Sequence, residues 1–198
     1  MTHAESQTIS FIEALWPARG SSRLVRTMLL AVAGSALLTL SAKLQVPFYP
    51  VPMTMQTLVV LLIGLGFGAR LGTATVLLYL AQGAVGLPVF AGTPEKGIGL
   101  AYMLGPTGGY LLGFILAAAL SGWIAERRRD LGALVTAVIG GSLAIYVPGV
   151  LWLASFVGLE QAFDLGLVPF LWADALKAAL AIALATGGAV LVRRRLGG

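Results

Sequence analysis

Long apolar runs separated by short polar links dominate the chain from about residue 24 onward. A helix that crosses a bilayer needs roughly 17–25 mostly apolar residues, and fewer suffice where the helix is sheltered. Six such runs predict six transmembrane helices, at about 24–43, 54–69, 71–86, 107–126, 131–157 and 169–192. Only "GARLG" separates the second run from the third, which predicts a tight helical hairpin. The pattern predicts an all-α integral membrane protein, with one six-helix domain over residues 24–198 after a polar segment, 1–23.

The positions of the basic residues predict the orientation of this bundle. Ten of the 13 Lys and Arg residues fall on one side of the six-span pattern, in the N-terminal segment, two links and the C-terminus: Arg19, Arg23, Arg26, Arg70, Arg127, Arg128, Arg129, Arg193, Arg194 and Arg195. The opposite loops hold only Lys43 and Lys96. Because cytoplasmic loops carry the excess of Lys and Arg, both termini are predicted to be cytoplasmic. The net charge of +5 then reflects topology in a lipid bilayer and requires no nucleic-acid partner.

The composition fits this class and removes several kinds of chemistry. Hydrophobic residues make up 58% of the chain and charged residues 11%, against about 25% charged in soluble domains. The chain has no cysteine, and its one histidine, His3, lies in the polar N-terminal segment. No G-x-x-x-x-G-K-[ST] loop for ATP occurs. We therefore expect no metal site, no cofactor and no catalytic residue, and an intramembrane enzyme acting on a lipid is disfavoured because Asp174 is the only intramembrane acid.

Two charged residues stand out near the start of the sixth predicted helix. Asp174 and Lys177 are three positions apart and share a helix face. They could form an internal ion pair that neutralises itself, or they could recognise a polar ligand, since intramembrane ionisable residues usually mark substrate paths. A ligand with a carboxylate and N–H groups would use both. Other polar, aromatic and glycine positions fall at the same outer end, which indicates an outward-facing small-molecule pocket: Gln56, Gly108, Tyr110, Tyr146 and Trp152.

Four segments carry a family resemblance: "VPFYPVPMTMQTLVVLLIG", "GLPVFAG", "LGPTGGYLLGF" and "PFLWADALKAAL". In this order and spacing the chain resembles BioY, the biotin-specific substrate-binding (S) component of energy-coupling factor (ECF) vitamin transporters. The resemblance covers nearly everything after about residue 24. It implies a six-helix protein of the bacterial cytoplasmic membrane that binds biotin near its outer face. It also implies two kinds of partner, a transmembrane coupling protein and ATPase subunits.

The resemblance also implies roles for particular residues. Asp174 and Lys177 match the family's D-x-x-K, in which the lysine would hold the biotin carboxylate and the aspartate would join the polar contacts. The loops around "PFYPVPM" and "GLPVFAG", the second containing Phe90, would form a lid. The family's glycine-rich continuation is replaced here by "TPEKGIG", Thr93 to Gly99. A small-residue surface on the first helix would dock the coupling protein, and Ala31 and Ser35 are its nearest match.

Two other readings keep the membrane location and change the function. Another small anionic vitamin or carboxylate could occupy the same kind of pocket. A self-sufficient secondary transporter often shows internal repeats, and residues 1–100 and 101–198 show no convincing similarity.

Overall fold

A computed structural model describes residues 21–196, and most of them are helical. The long helices are α1 (Ser21–Lys43), α2 (Gln56–Ala84), α4 (Gly108–Arg127), α5 (Leu131–Val157) and α7 (Leu171–Leu196). Shorter elements fill the connections: strands β1 (Gln45–Val46) and β2 (Met53–Thr54), helices α3 (Gly99–Met103) and α6 (Leu159–Gly166), and the 3₁₀ turn Val168–Phe170. The predicted N-terminal segment lies almost entirely outside the described residues.

Helix α2 is a hairpin with two arms, and it contains the second and third predicted spans. Gly68 breaks it with φ 82° and ψ 177°, a conformation that suits glycine because it lacks a Cβ atom. Gln56 Nε2 then reaches the hydroxyl of Tyr79 at 2.8 Å. In a straight helix those residues would lie on the order of 35 Å apart, so the chain reverses at Gly68. Of the described residues, five helical stretches are apolar and long enough to cross a membrane. Counting the two arms separately gives six segments, which confirms the predicted fold class.

Polar side chains fix the turns at the end of the bundle that holds Gly68. The Ala69 N–H, at the start of the second arm, donates to Glu126 Oε1 at 3.0 Å. Asp130 caps α5 by accepting the Ala133 N–H at 3.2 Å. That bond, with Arg128 beside it, lowers the pKa of the Asp130 carboxyl. These caps occupy backbone donors that a helix start leaves without intrahelical partners.

Helix α4 lies at the centre of the bundle, between α2 and α5, because glycines let the backbones approach closely. A Cβ added at Gly113 would lie 2.6 Å from Ile145 Cα on α5. One added at Gly64 would lie 2.9 Å from the Ala118 carbonyl oxygen, where α2 meets α4. Small residues of this kind allow close packing of membrane helices. Helix α1 is peripheral and contacts α2, with Ser35 donating a hydrogen bond to Gln82.

The connections place the chemical features at opposite ends of the bundle. The links at Arg70 and at Arg127–Arg129 lie at one end of the bundle, the inner end, where Glu126 contacts the hairpin turn. Lys43, Gln56, Gly108 and the start of α7 lie at the other end. This grouping is the one that the loop charges predicted. The direction relative to the cell stays a prediction, and the names inner end, outer end and outer loops follow that prediction.

Single cysteines introduced into this cysteine-free chain should reveal that direction. Positions 70, 96 and 128 are all exposed, so a thiol at any of them is reachable. We expect a membrane-impermeant maleimide added to intact cells to label position 96 and to spare positions 70 and 128 until the cells are opened. Labelling of positions 70 and 128, but not of position 96, in intact cells would show that the bundle has the opposite orientation in the membrane.

Candidate ligand-binding site

A buried ion pair lies at the outer end of α7. Lys177 Nζ is 2.7 Å from Asp174 Oδ1, and each side chain is 10% exposed. The same ammonium donates to the Thr54 carbonyl oxygen at 2.6 Å. The β1–β2 hairpin holds that carbonyl in place, since Thr54 pairs with Gln45. A loop backbone oxygen and a helix carboxylate thus share one lysine.

Asp174 connects three transmembrane elements. Besides Lys177, it accepts the Thr57 hydroxyl of α2 at 3.1 Å and the Tyr146 hydroxyl of α5 at 2.5 Å. Hydrogen bonds to a charged group are among the stronger ones in proteins. These donors offset the cost of burying a carboxylate at this depth.

Both members of the pair keep unused hydrogen-bonding capacity. An ammonium has three donors, and Lys177 directs two of them to Thr54 and Asp174. A carboxylate has about four acceptor positions, and Asp174 uses three of them. One donor of the ammonium and one acceptor position of the carboxylate therefore remain within the pair, a combination suited to a polar or anionic ligand group.

The pair opens onto a cavity of about 50 Å³ at the outer end of the bundle. Its walls come from the two outer loops and from α2, α3, α4, α5 and α7: Val51, Pro52, Thr54, Gln56, Thr57, Ala91, Tyr102, Thr107, Tyr110, Leu111, Phe114, Ile145, Tyr146, Phe170, Asp174 and Lys177. Small-molecule pockets usually measure about 300–1,000 Å³. A vitamin-sized ligand therefore requires the loops over this cavity to move.

Aromatic stacking attaches the second outer loop to the bundle. The Phe90 ring lies 4.9 Å from Tyr102, nearly parallel, and 5.4 Å from Tyr79, edge to face. Gly83 makes room for it, since a Cβ there would lie 1.9 Å from the ring. Tyr102 lines the cavity, and burial raises the pKa of its hydroxyl.

Five of the eight predicted ligand contacts line the cavity: Gln56, Tyr110, Tyr146, Asp174 and Lys177. Phe90 lies behind the wall, next to the lining residue Ala91. Gly108 and Trp152 are not among the lining residues and contact each other at the α4–α5 interface. The Trp152 indole N–H donates to the Gly105 carbonyl at 2.9 Å, and a Cβ at Gly108 would lie 3.0 Å from the indole nitrogen.

Sequence reasoning missed several lining residues. Thr54 contributes its backbone carbonyl, which no side-chain pattern can reveal. Thr57 directly follows the predicted Gln56 in the same helix. Because neighbouring helical residues point in different directions, the prediction of Gln56 gave no reason to include Thr57. Tyr102 lies in a short helix between predicted spans, and Phe170 lies in the 3₁₀ turn at the start of the sixth predicted span.

The predicted docking surface on α1 needs a correction. Ser35 is fully buried and bonded to Gln82, because its face of α1 packs on α2. Ala31 is partly buried, whereas Ala33 and Ala36 are the exposed small residues of this part of α1. A partner helix could therefore reach the latter pair and could not reach the Ser35 side chain.

A nine-tenths buried ion pair beside a polar and aromatic cavity, at one end of a membrane bundle, defines a membrane-embedded small-molecule-binding protein. The BioY family model matches residues 8–194, and the chain belongs to this family. A probable biotin transporter BioY of Pyrococcus horikoshii is 43% identical over 76% of this chain and 88% of that protein. The biotin transporter BioY of Thermotoga maritima is 38% identical over 81% and 94%.

A solved structure has the same architecture. The crystal structure of the S-component for biotin from an ECF-type ABC transporter matches with a TM-score of 0.73 and 26% identity. The match covers 91% of this chain and 96% of that one.

Proposed function

We propose that this chain binds biotin at the outer end of the bundle and mediates biotin uptake as the S component of an ECF-type transporter. The observation that carries the proposal is the Asp174–Lys177 pair, buried against the cavity with one donor and one acceptor unused. Family membership and the biotin transporters among its relatives support the identity of the ligand.

The chemistry of biotin fits the groups that the cavity offers. Biotin has a carboxylate on a valeryl chain and a ureido ring with two N–H donors and one carbonyl. We propose that the free donor of Lys177 binds the carboxylate, as a charge-assisted hydrogen bond. Gln56 and Tyr110 line the same cavity, where the Gln56 amide donates to the Tyr79 hydroxyl at 2.8 Å and the Tyr110 hydroxyl donates to the Gly166 carbonyl at 2.7 Å.

The side-by-side geometry of the pair also suggests a second orientation. Asp174 and Lys177 together are neutral and lie 2.7 Å apart, so one end of an extended biotin can contact both at once. The ureido ring has an N–H next to a carbonyl, which matches an acceptor next to a donor. A ligand analogue that lacks the carboxylate would distinguish an orientation with the carboxylate at the pair from one with the ureido ring there.

The protein is a multi-pass membrane protein, and its relatives place it in a transport system. We infer that it resides in the cytoplasmic membrane. We also infer that it works with a transmembrane coupling protein and with ATPase subunits, because the chain lacks a P-loop of its own. The exposed face of α1 that includes Ala33 and Ala36 is the proposed contact with the coupling protein. Transport in such a complex requires no catalytic residue from this chain.

Equilibrium dialysis of the purified protein against radiolabelled biotin tests the proposed function. We expect saturable binding at one site per chain, displaced by unlabelled biotin and retained against an excess of other anionic vitamins. Displacement by another vitamin more strongly than by biotin would assign the site to that vitamin. Failure to bind biotin in a folded preparation would refute the proposal.

A further inference from the structure

Lys43, the last residue of α1, connects that helix to the second outer loop, residues 85–98. Its ammonium donates to the Phe90 carbonyl at 3.0 Å, to the Thr93 carbonyl at 3.2 Å and to Thr93 Oγ1 at 3.0 Å. Thr93 Oγ1 in turn donates to the Phe90 carbonyl at 2.7 Å. All three donors of the ammonium therefore have acceptors within one four-residue turn.

That turn forms part of the cavity wall. Ala91, between the two residues that Lys43 holds, lines the cavity and is 3% exposed. Phe90 stacks on Tyr102, another lining residue. Displacing the turn would therefore move the Ala91 wall and release the stack on Tyr102 together.

Lys43 joins this turn to α1, which otherwise packs mainly on α2. The Thr93–Phe90 hydrogen bond closes the turn upon itself, and the Phe90 ring packs on Tyr79 and Tyr102. The Tyr79 hydroxyl also donates to the Val89 carbonyl at 3.1 Å. The contacts of Lys43 add a third attachment, from the end of α1 to the opposite edge of the turn. A cation at a helix C-terminus is also favoured by the helix dipole, which keeps the ammonium near this end of α1.

We propose that Lys43 is a positioning residue that holds the 90–93 turn closed over the cavity and thereby slows ligand dissociation. The inference rests on the proposed function in taking biotin as the ligand. Because a cavity of about 50 Å³ cannot admit a vitamin without movement of its loops, the attachment by Lys43 contributes to how often the cavity opens. Lys43 does not line the cavity, so it acts through the turn and not by contacting the ligand.

The first measurement needs no biotin. In an Ala91→Cys protein, a small maleimide should react slowly, since the side chain at position 91 is buried. Adding Lys43→Met should raise the labelling rate about tenfold, because bonds to a charged group are lost. Adding Lys96→Met removes the same charge from the exposed part of the same loop and should leave the rate unchanged. Lys43→Arg, which keeps donors and charge, should return the rate toward that of the parent.

The second measurement uses biotin and chains without the cysteine. Lys43→Met should speed biotin dissociation about tenfold without slowing association, while the thermal unfolding midpoint stays near that of the parent. A merely structural role for Lys43 would lower the midpoint and leave the dissociation rate of the folded fraction unchanged. Thr93→Val removes one acceptor of Lys43 and the hydroxyl that donates to the Phe90 carbonyl. It should give a smaller increase in the labelling rate and in the dissociation rate, and it replaces Lys43→Met if that variant does not fold.

Two results would overturn the proposal: unchanged labelling and dissociation in Lys43→Met, or equal changes in Lys96→Met. If Lys43→Met does not fold, unchanged rates in Thr93→Val overturn it as well. If the parent protein binds no biotin, the proposed function fails, and the labelling rates still decide whether Lys43 holds the turn.

Discussion

Replacing Lys177 with alanine should weaken biotin binding by roughly 30-fold or more. Truncating one member of a buried charge pair typically costs about 2–5 kcal/mol, and each 1.4 kcal/mol is about tenfold in affinity. The variant would remove an ammonium that lines the cavity and would leave Asp174 with only its two hydroxyl donors, Thr57 and Tyr146. Isothermal titration calorimetry on parent and variant measures the change.

The matched control is Lys96→Ala, which removes the same charge from an exposed loop position and should leave affinity unchanged. If the lysine holds the carboxylate, biotin amide should lose much less affinity than biotin in Lys177→Ala. Equal loss of both ligands in a stable variant would instead place the ureido ring against the pair. Should the pair serve only the fold, Lys177→Ala would lower the unfolding midpoint while the folded fraction bound biotin as tightly as the parent.

Gly113→Ala should destabilise the bundle by about 3 kcal/mol, near the upper end of what overpacking typically costs. The added Cβ would lie 2.6 Å from Ile145 Cα and 2.8 Å from the Ala144 carbonyl oxygen, so α4 and α5 would have to separate. Backbone atoms cannot turn aside as a flexible side chain can. Thermal unfolding in detergent measures the effect.

Gly66→Ala is the control for that change. Gly66 is also helical, and an added Cβ would meet nothing within 4 Å, so the substitution should be neutral or slightly stabilising. A loss of stability in Gly66→Ala equal to that in Gly113→Ala would mean that lost glycine flexibility, and not the α4–α5 approach, governs both.

The membrane fold follows closely from sequence because its main determinant is one-dimensional. Apolar length decides which segments can cross a bilayer, and loop charge favours one orientation, so the six spans were predictable. The hairpin was predictable as well, since the "GARLG" link around Gly68 interrupts an apolar stretch too long for one helix.

The site was only partly predictable because it depends on which helix faces meet. The spacing of Asp174 and Lys177 predicted a shared face, and the structure pairs them at 2.7 Å. Trp152 lies at the predicted end of α5 but on the face toward α4, away from the cavity. Ser35 likewise faces α2 because its hydroxyl meets Gln82 there. The depth of a side chain in the membrane can be predicted from its position along a span. The direction in which it points depends on which helices pack around it.

The break at Gly68 makes the two arms of the α2 hairpin shorter than the thickness of a bilayer's hydrocarbon core. The first arm, residues 56–67, extends roughly 18 Å along its axis and the second roughly 24 Å, whereas the hydrocarbon core of a bilayer measures about 30 Å. Lipids beside the hairpin must compress, or headgroups must descend, at a cost of fractions of a kcal/mol per ångström of mismatch. The protein should therefore be enriched in membrane regions whose lipids have short acyl chains. Lipid chain length would then influence which neighbours the protein meets in the membrane.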